Sequence, residues 1–79
     1  MIPISIEEFA DMTVKNNKDM NREDLIHDLK NAQRSKKNGA KCMQCGSLIW
    51  AAGSAITGMN MCFTCTTLEV DDSEDYEIV

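Results

Sequence analysis

Two pairs of cysteines are the feature that most constrains the fold of this 79-residue chain. Cys42 and Cys45 form one C-x2-C pair, and Cys62 and Cys65 form a second pair after the spacer 46–61. Two residues between paired cysteines let a tight turn bring both sulfurs to one ion, and zinc takes four thiolates at about 2.3 Å. The spacing therefore predicts a structural zinc site with these four cysteines as ligands.

Three other roles for the cysteines are less consistent with the sequence. Two disulfides are disfavoured because no export signal is visible. An iron–sulfur cluster or a single iron also suits four cysteines, but such sites usually transfer electrons and the sequence shows no sign of a redox partner. A thioredoxin-like pair would need a βαβ context that is absent. Four thiolates leave no open position on the metal, so we expect zinc to hold the fold and do not expect an enzyme.

The small size of the chain explains why a metal would be needed. A chain this short buries only about 60% of the surface that its unfolded form exposes, whereas zinc binding contributes on the order of 10–16 kcal/mol. Gly46 directly follows the first pair, where a positive φ is often required. After the second pair we expect a short helical turn through Thr67, Leu68 and Glu69, and we expect Trp50 to be a core side chain that covers one side of the cluster.

The first half of the chain predicts two short amphipathic helices. Ser5 and Glu8 form a capping box, and apolar residues then recur at steps of three and four, which predicts a helix from about Ile6 to about Lys15. Asn21 is a good N-cap for a second helix, for which Asn38 and Gly39 form a plausible C-cap. Residues 1–39 are therefore predicted to be a helical hairpin.

The second half predicts a metal module and a tail. Residues 40–68 hold all four cysteines and show no helical periodicity, which favours a four-Cys zinc-binding module with a short β-hairpin. Residues 69–79 form an acidic tail that we expect to be weakly structured. The predicted fold class is a small α plus zinc-knuckle domain: an N-terminal helical hairpin, a four-Cys zinc finger and an acidic C-terminal tail in one compact unit.

Charge is distributed unevenly although the net charge is -5. Every charged residue between positions 30 and 68 is basic, whereas residues 1–29 and 69–79 are net acidic. The basic segment 30–41 could bind nucleic acid or an acidic protein surface, although Lys36 and Lys37 also suit the last turn of a helix. The overall acidity argues against a dedicated, high-affinity duplex binder. No segment is apolar enough to span a membrane, and we expect a cytoplasmic protein.

Residues 36–68 resemble the zinc-finger region of the DksA/TraR proteins. The similarity lies in a helix followed by Cys-Met-Gln-Cys-Gly-Ser-Leu-Ile at 42–49 and Cys-Phe-Thr-Cys at 62–65. Small zinc anti-sigma factors of the Gin type also share paired C-x2-C motifs in short acidic chains. The DksA/TraR family usually carries a basic residue and a proline between its cysteine pairs, where this chain has residues 50–55.

The resemblance implies a partner in the bacterial transcription apparatus, RNA polymerase or a sigma factor, and a phage or plasmid origin. Glu8 and Asp11 lie near the spacing of the family's acidic tip motif, the acidic tail offers further carboxylates, and Tyr76 could anchor a peptide contact. The candidate partner contacts are Glu8, Asp11, Lys36, Lys37, Asp71, Asp72 and Tyr76. Two alternatives stay open: a nucleic-acid-binding zinc module that uses the segment 30–41, and a phage antagonist of a host protein outside transcription.

Overall fold

The computed structural model describes residues 1–79 as four helices and a two-stranded sheet. The elements in chain order are β1 (Ile2–Ile4), α1 (Ile6–Asn16), α2 (Arg22–Lys37), α3 (Ala51–Thr57), α4 (Phe63–Thr67) and β2 (Tyr76–Ile78). Helix α2 is the longest element and packs against both α1 and α3. None of the helices combines the length and the apolar character needed to cross a membrane.

Helices α1 and α2 begin where the sequence predicts them. The Ser5 hydroxyl accepts a hydrogen bond from the Glu8 amide at 3.1 Å, which is the first half of the predicted capping box. The Glu8 carboxylate accepts a hydrogen bond from the Ser5 hydroxyl at 3.2 Å. Asn21 Oδ1 accepts bonds from the amides of Glu23 and Asp24 at 2.9 and 3.1 Å. Helix α2 ends at Lys37, and Gly39 follows with a φ of 82°. The two helices thus have the caps that the sequence indicates.

Helix α3 is a correction to the sequence-based prediction, which placed no helix between the cysteine pairs. Its first four residues, Ala51, Ala52, Gly53 and Ser54, are buried against the rest of the protein. Small side chains at consecutive positions give no amphipathic pattern, so the helix is visible only through its packing on α2. The predicted β-hairpin is reduced to one antiparallel bridge between Lys41 and Leu48.

The interpretation of the tail as weakly structured is wrong for its last residues. Strand β2 pairs in parallel with β1, so that Ile2 lies opposite Tyr76 and Ile4 lies opposite Ile78. Ile78 is only 5% exposed and belongs to the main hydrophobic core. Burial of this side chain and pairing with the opposite end of the chain order the strand, and neither contact can be seen in the local sequence.

Both edges of this small sheet carry features that disfavour pairing with a further strand. On β1, Pro3 has no N–H group to offer to a further strand. On β2, the Tyr76 carbonyl accepts a hydrogen bond from the Trp50 indole at 2.8 Å, and the Ile78 amide donates to the Glu77 carboxylate at 3.0 Å. The outer edges therefore offer few free backbone groups to another strand.

The main core lies where α1, α2, α3 and β2 meet. Its buried residues are Phe9, Ala10, Leu25, Leu29, Ala51, Ala52 and Ile78. A second, smaller cluster contains Cys42, Met61 and Cys62. The chain thus has one apolar core among the helices and a separate buried cluster around its cysteines.

Candidate metal centre

The first cysteine pair lies in a tight turn between Lys41 and Leu48. The Cys42 amide donates to the Ser47 carbonyl at 2.6 Å, and the Gly46 amide donates to the Cys42 carbonyl at 3.0 Å. Gly46 has a φ of 78°, which confirms the expectation that a glycine is needed there. The Gln44 amide lies 3.4 Å from Cys42 Sγ, so a backbone donor points at this sulfur.

The second pair lies at the start of α4. Cys62 is the N-cap of this helix, and its sulfur accepts a hydrogen bond from the Cys65 amide at 3.4 Å. The helical turn was predicted one turn too late, because α4 covers Phe63–Thr67 and includes Cys65. Leu68 ends the helix in the left-handed conformation, with a φ of 64°.

The fold brings all four cysteines together. Their Sγ atoms all lie within 4.8 Å of one another, and those of Cys45 and Cys62 are 3.5 Å apart. A tetrahedron of sulfurs about 2.3 Å from a central zinc would have edges of roughly 3.8 Å, which is close to these separations. The four side chains can therefore hold one metal ion, as the spacing predicts.

Hydrogen bonds distribute the protons of the four thiols unevenly. Backbone N–H groups, that of Cys45 first and then that of Cys62, lower the pKa of Cys42 to about 6. The hydroxyl and amide of Ser47 lower the pKa of Cys45. Hydrogen bonds with the neighbouring sulfurs, above all that of Cys62, raise the pKa of Cys65 to about 12. The cluster thus favours thiolates at one side and retains a proton that a cation would displace.

The centre is buried on one side and open on the other. Cys42 and Cys62 are buried and pack with Met61, whereas Cys45 is exposed. A cleft of about 510 Å³ lies beside the open side and is lined in part by Leu48, Trp50 and Val70. The metal centre is therefore part of the protein surface as well as of its interior.

Trp50 joins the centre to the helical core, in line with the expected core role. Its ring packs edge to face on Phe63 of α4, with centroids 5.1 Å apart, and it also contacts the main core. Ser54 of α3 makes a further link, because its hydroxyl lies 3.2 Å from both the amide and the carbonyl oxygen of Met61. These contacts fix the position of the second cysteine pair relative to α3.

Glu77 is a residue that the sequence analysis missed. Its carboxylate accepts hydrogen bonds from the amides of Ala51 and Ala52 at 2.9 and 3.0 Å, and so caps α3, whose own N-cap residue Trp50 offers no side-chain bond. The same carboxylate pairs with the Lys36 ammonium at 2.6 Å. The local sequence around Glu77 does not indicate this capping role, because the helix that Glu77 caps begins 26 residues earlier in the chain.

Several predicted partner contacts are engaged within the protein. Lys36 pairs with Glu77, Asp11 pairs with Arg22, and Asp72 lies 3.5 Å from the N-terminal amine. The Tyr76 carbonyl is bonded to Trp50. The others, Glu8, Lys37 and Asp71, are exposed, and Asp71 accepts a hydrogen bond from the Ser73 amide. The structure thus gives Lys36 a contact within the protein, and its role in partner binding stays a prediction.

Comparison with protein-family models, curated proteins and solved structures finds no match to this chain. The geometry of the site defines one cluster of metal-binding side chains, made of the four cysteines.

Proposed function

We propose that this chain is a small zinc-binding regulatory protein that acts by binding another protein, with bacterial RNA polymerase or a sigma factor as its partner. The meeting of the four Sγ atoms within 4.8 Å of one another is the observation that supports the metal part. The resemblance of residues 36–68 to the zinc finger of DksA/TraR proteins, and of the cysteine pairs to small anti-sigma factors, supports the partner.

Zinc fits the donor set better than other ions do. Thiolates are soft ligands, and four of them at tetrahedral spacing are typical of structural zinc, which needs no redox partner and no open coordination position. When bound, the ion neutralises thiolate charge and crosslinks two segments that are separated by α3. The backbone donors at Cys42 and Cys62 orient these sulfurs towards the ion.

Exposed apolar side chains near the metal centre support a protein partner. Leu68 and Val70 are 87% and 89% exposed, and Leu48 and Met43 are also exposed. Leu68 adopts the left-handed conformation that glycine tolerates best, so this large side chain is held in solvent at a local cost. Leu48 and Val70 line one cleft, and exposed apolar side chains that lie together on a surface are typical of interaction sites.

The nucleic-acid alternative is weakened at one of its residues. Lys36 is bound to Glu77, so the basic segment has one fewer cation to offer to phosphates. The remaining cations, Lys30, Arg34, Lys37 and Lys41, are exposed. This alternative is retained as an outcome of the experiment below.

A pull-down from a nuclease-treated bacterial lysate tests the proposal. The bait is the zinc-loaded protein, and the captured proteins are identified by mass spectrometry. We expect RNA polymerase or sigma subunits in the eluate, and we expect their loss with Cys45→Ser, which removes a zinc ligand. Thr64→Ser is the matched control, because Thr64 is an exposed residue beside a ligand and is not one itself.

A direct binding measurement with purified RNA polymerase core, holoenzyme and free sigma factor then identifies the subunit. Capture of an unrelated host protein in place of these would contradict the transcription partner and favour the antagonist alternative. Binding that returns only when nucleic acid is restored would favour the nucleic-acid module. Elemental analysis of the bait should give about one zinc per chain, and a chain that folds fully without metal would contradict the structural role.

A further inference from the structure

One face of α2 carries basic side chains that have no partner within the protein. Lys30, Arg34 and Lys37 recur at steps of four and three, so they follow one line along the helix. All are exposed, and none takes part in the salt bridges of this structure. The chain has a net charge of -5, so unpaired cations on one face are a local departure from its overall charge.

Lys36 differs from the other cations of this helix because it has a partner within the protein. It follows Arg34 by two residues, faces a different side of the helix and pairs with Glu77 at 2.6 Å. The basic residues of this segment are thus found in two different environments. Lys36 holds β2 to α2 through Glu77, whereas the other cations are presented to solvent.

The surroundings of these cations form a shallow depression. Its lining is Ile6, Lys30, Gln33, Arg34 and Lys37. A guanidinium binds a carboxylate through two parallel hydrogen bonds, lysine adds a mobile charge, and the Gln33 amide can donate a further bond. Ile6 supplies the apolar element. This combination suits a carboxylate-rich segment that also carries an apolar side chain.

The extent of the face favours an acidic protein over a nucleic acid. At 1.5 Å per residue, the cations from Lys30 to Lys37 span roughly 10 Å, about two turns of a helix. Acidic side chains at the same spacing on a partner helix would match this length, whereas duplex binders typically neutralise roughly 6–10 phosphates. The net acidity of the chain would also oppose the approach of a long polyanion.

We propose that this face, made of Lys30, Gln33, Arg34 and Lys37 with Ile6, is the docking surface for an acidic segment of the partner protein. The inference rests on the proposed protein-binding function and specifies where and by what chemistry the partner is held. It moves the expected contact from the acidic ends of the chain to the basic face of α2.

An NMR titration of the full, zinc-loaded chain tests this proposal. The probe is a blocked helical peptide of roughly 15 residues with glutamates along one face and a leucine among them. The control peptide has glutamine at each glutamate position. We expect saturable shifts of the amides of residues 30–37 with the acidic peptide only. The triple variant Lys30→Glu, Arg34→Glu, Lys37→Glu should raise the Kd at least about tenfold, because each pair contributes modestly.

The matched control is the double variant Lys15→Glu, Lys18→Glu, which reverses exposed charges of another segment. It should bind the acidic peptide with little change in Kd. Shifts outside the proposed face, or equal binding by the triple variant, would overturn the proposal. Tighter binding of a single-stranded DNA of equal charge at the same residues would overturn it in favour of nucleic acid.

The result can be separated from that of the proposed function. If the triple variant still captures RNA polymerase or sigma factor, the proposed function stands and the docking surface is wrong. If the wild-type chain captures neither but binds the acidic peptide through residues 30–37, the docking surface stands and the transcription partner is wrong.

Discussion

The helical core and the metal centre of this protein are held together by different physical forces. The core buries apolar side chains from α1, α2, α3 and β2. The second cluster contains little apolar volume beyond Met61, and its members Cys42 and Cys62 belong to the group of four cysteines that could hold a metal ion. A short chain cannot extend one core over all its residues, so metal coordination, if the proposed site is filled, would replace burial where the chain has too few large apolar side chains.

The two regions nevertheless share a boundary. Trp50 contacts the core and packs on Phe63, while Ser54 is bonded to Met61. A substitution in one region can therefore change the stability of the other, and the variants below measure by how much.

Loss of a metal ligand should have the largest effect. Cys62→Ser is expected to abolish zinc binding, which is worth on the order of 10–16 kcal/mol in small zinc domains, and to remove the cooperative unfolding transition. Elemental analysis and circular dichroism melts with and without zinc measure this, and Thr64→Ser is the control. A cooperative melt of Cys62→Ser equal to that of the wild type would show that the core is sufficient alone.

Truncation in the helical core should cost less. Leu29 is fully buried, so Leu29→Ala is expected to lower the free energy of unfolding by about 2–5 kcal/mol. Urea denaturation of the zinc-loaded protein measures the loss, and the exposed Leu48 provides the control Leu48→Ala. The zinc content should stay the same. A substantial loss of zinc from Leu29→Ala would mean that the core and the centre form a single unit.

The attachment of β2 to α2 and α3 is tested by Glu77→Gln. This change removes the charge that caps α3 and pairs with Lys36, and we expect a loss of about 1–3 kcal/mol in the free energy of unfolding. Glu74→Gln removes an exposed carboxylate and should cost little. If the interaction is specific, the cost of Glu77→Gln will change in a Lys36→Met background. Equal costs in both backgrounds would contradict the pairing.

Gly53→Ala is expected to change the free energy of unfolding no more than Glu77→Gln does, and the sign of this change is informative. Helix propensity alone predicts a gain of roughly 1 kcal/mol for alanine inside α3. An added Cβ would instead overlap the Trp50 ring, so we expect a loss of about 1–3 kcal/mol. Thermal or urea unfolding decides between these signs. The loss should shrink in a Trp50→Leu background, and a gain in the wild-type background would show that the ring moves freely.

Local signals in the sequence were sufficient for some elements only. The caps at Ser5 and Asn21 and the turn at Gly46 depend on a few neighbouring residues, and the predictions based on them are confirmed. The cysteine spacing correctly indicates that the four sulfurs meet. The zinc identity and the partner stay predictions.

Elements that depend on distant contacts were missed. Helix α3 has a glycine in its interior because Trp50 occupies the space above it, and β2 is ordered by pairing with β1. The carboxylate of Glu77 gains its role only when β2 is in place beside α3. Patterns among neighbouring residues in the sequence do not indicate these contacts between distant segments.

The pairing of β1 with β2 also has a kinetic consequence. Ile4 and Ile78 are partners across almost the whole chain, so this contact closes a very long loop and should form after the local turns of α1 and α2. We expect Ile78→Val to speed unfolding and to leave the refolding rate nearly unchanged, as stopped-flow kinetics on the zinc-loaded protein would measure. A slower refolding rate would instead place this closure early, in the nucleus around which the helices assemble.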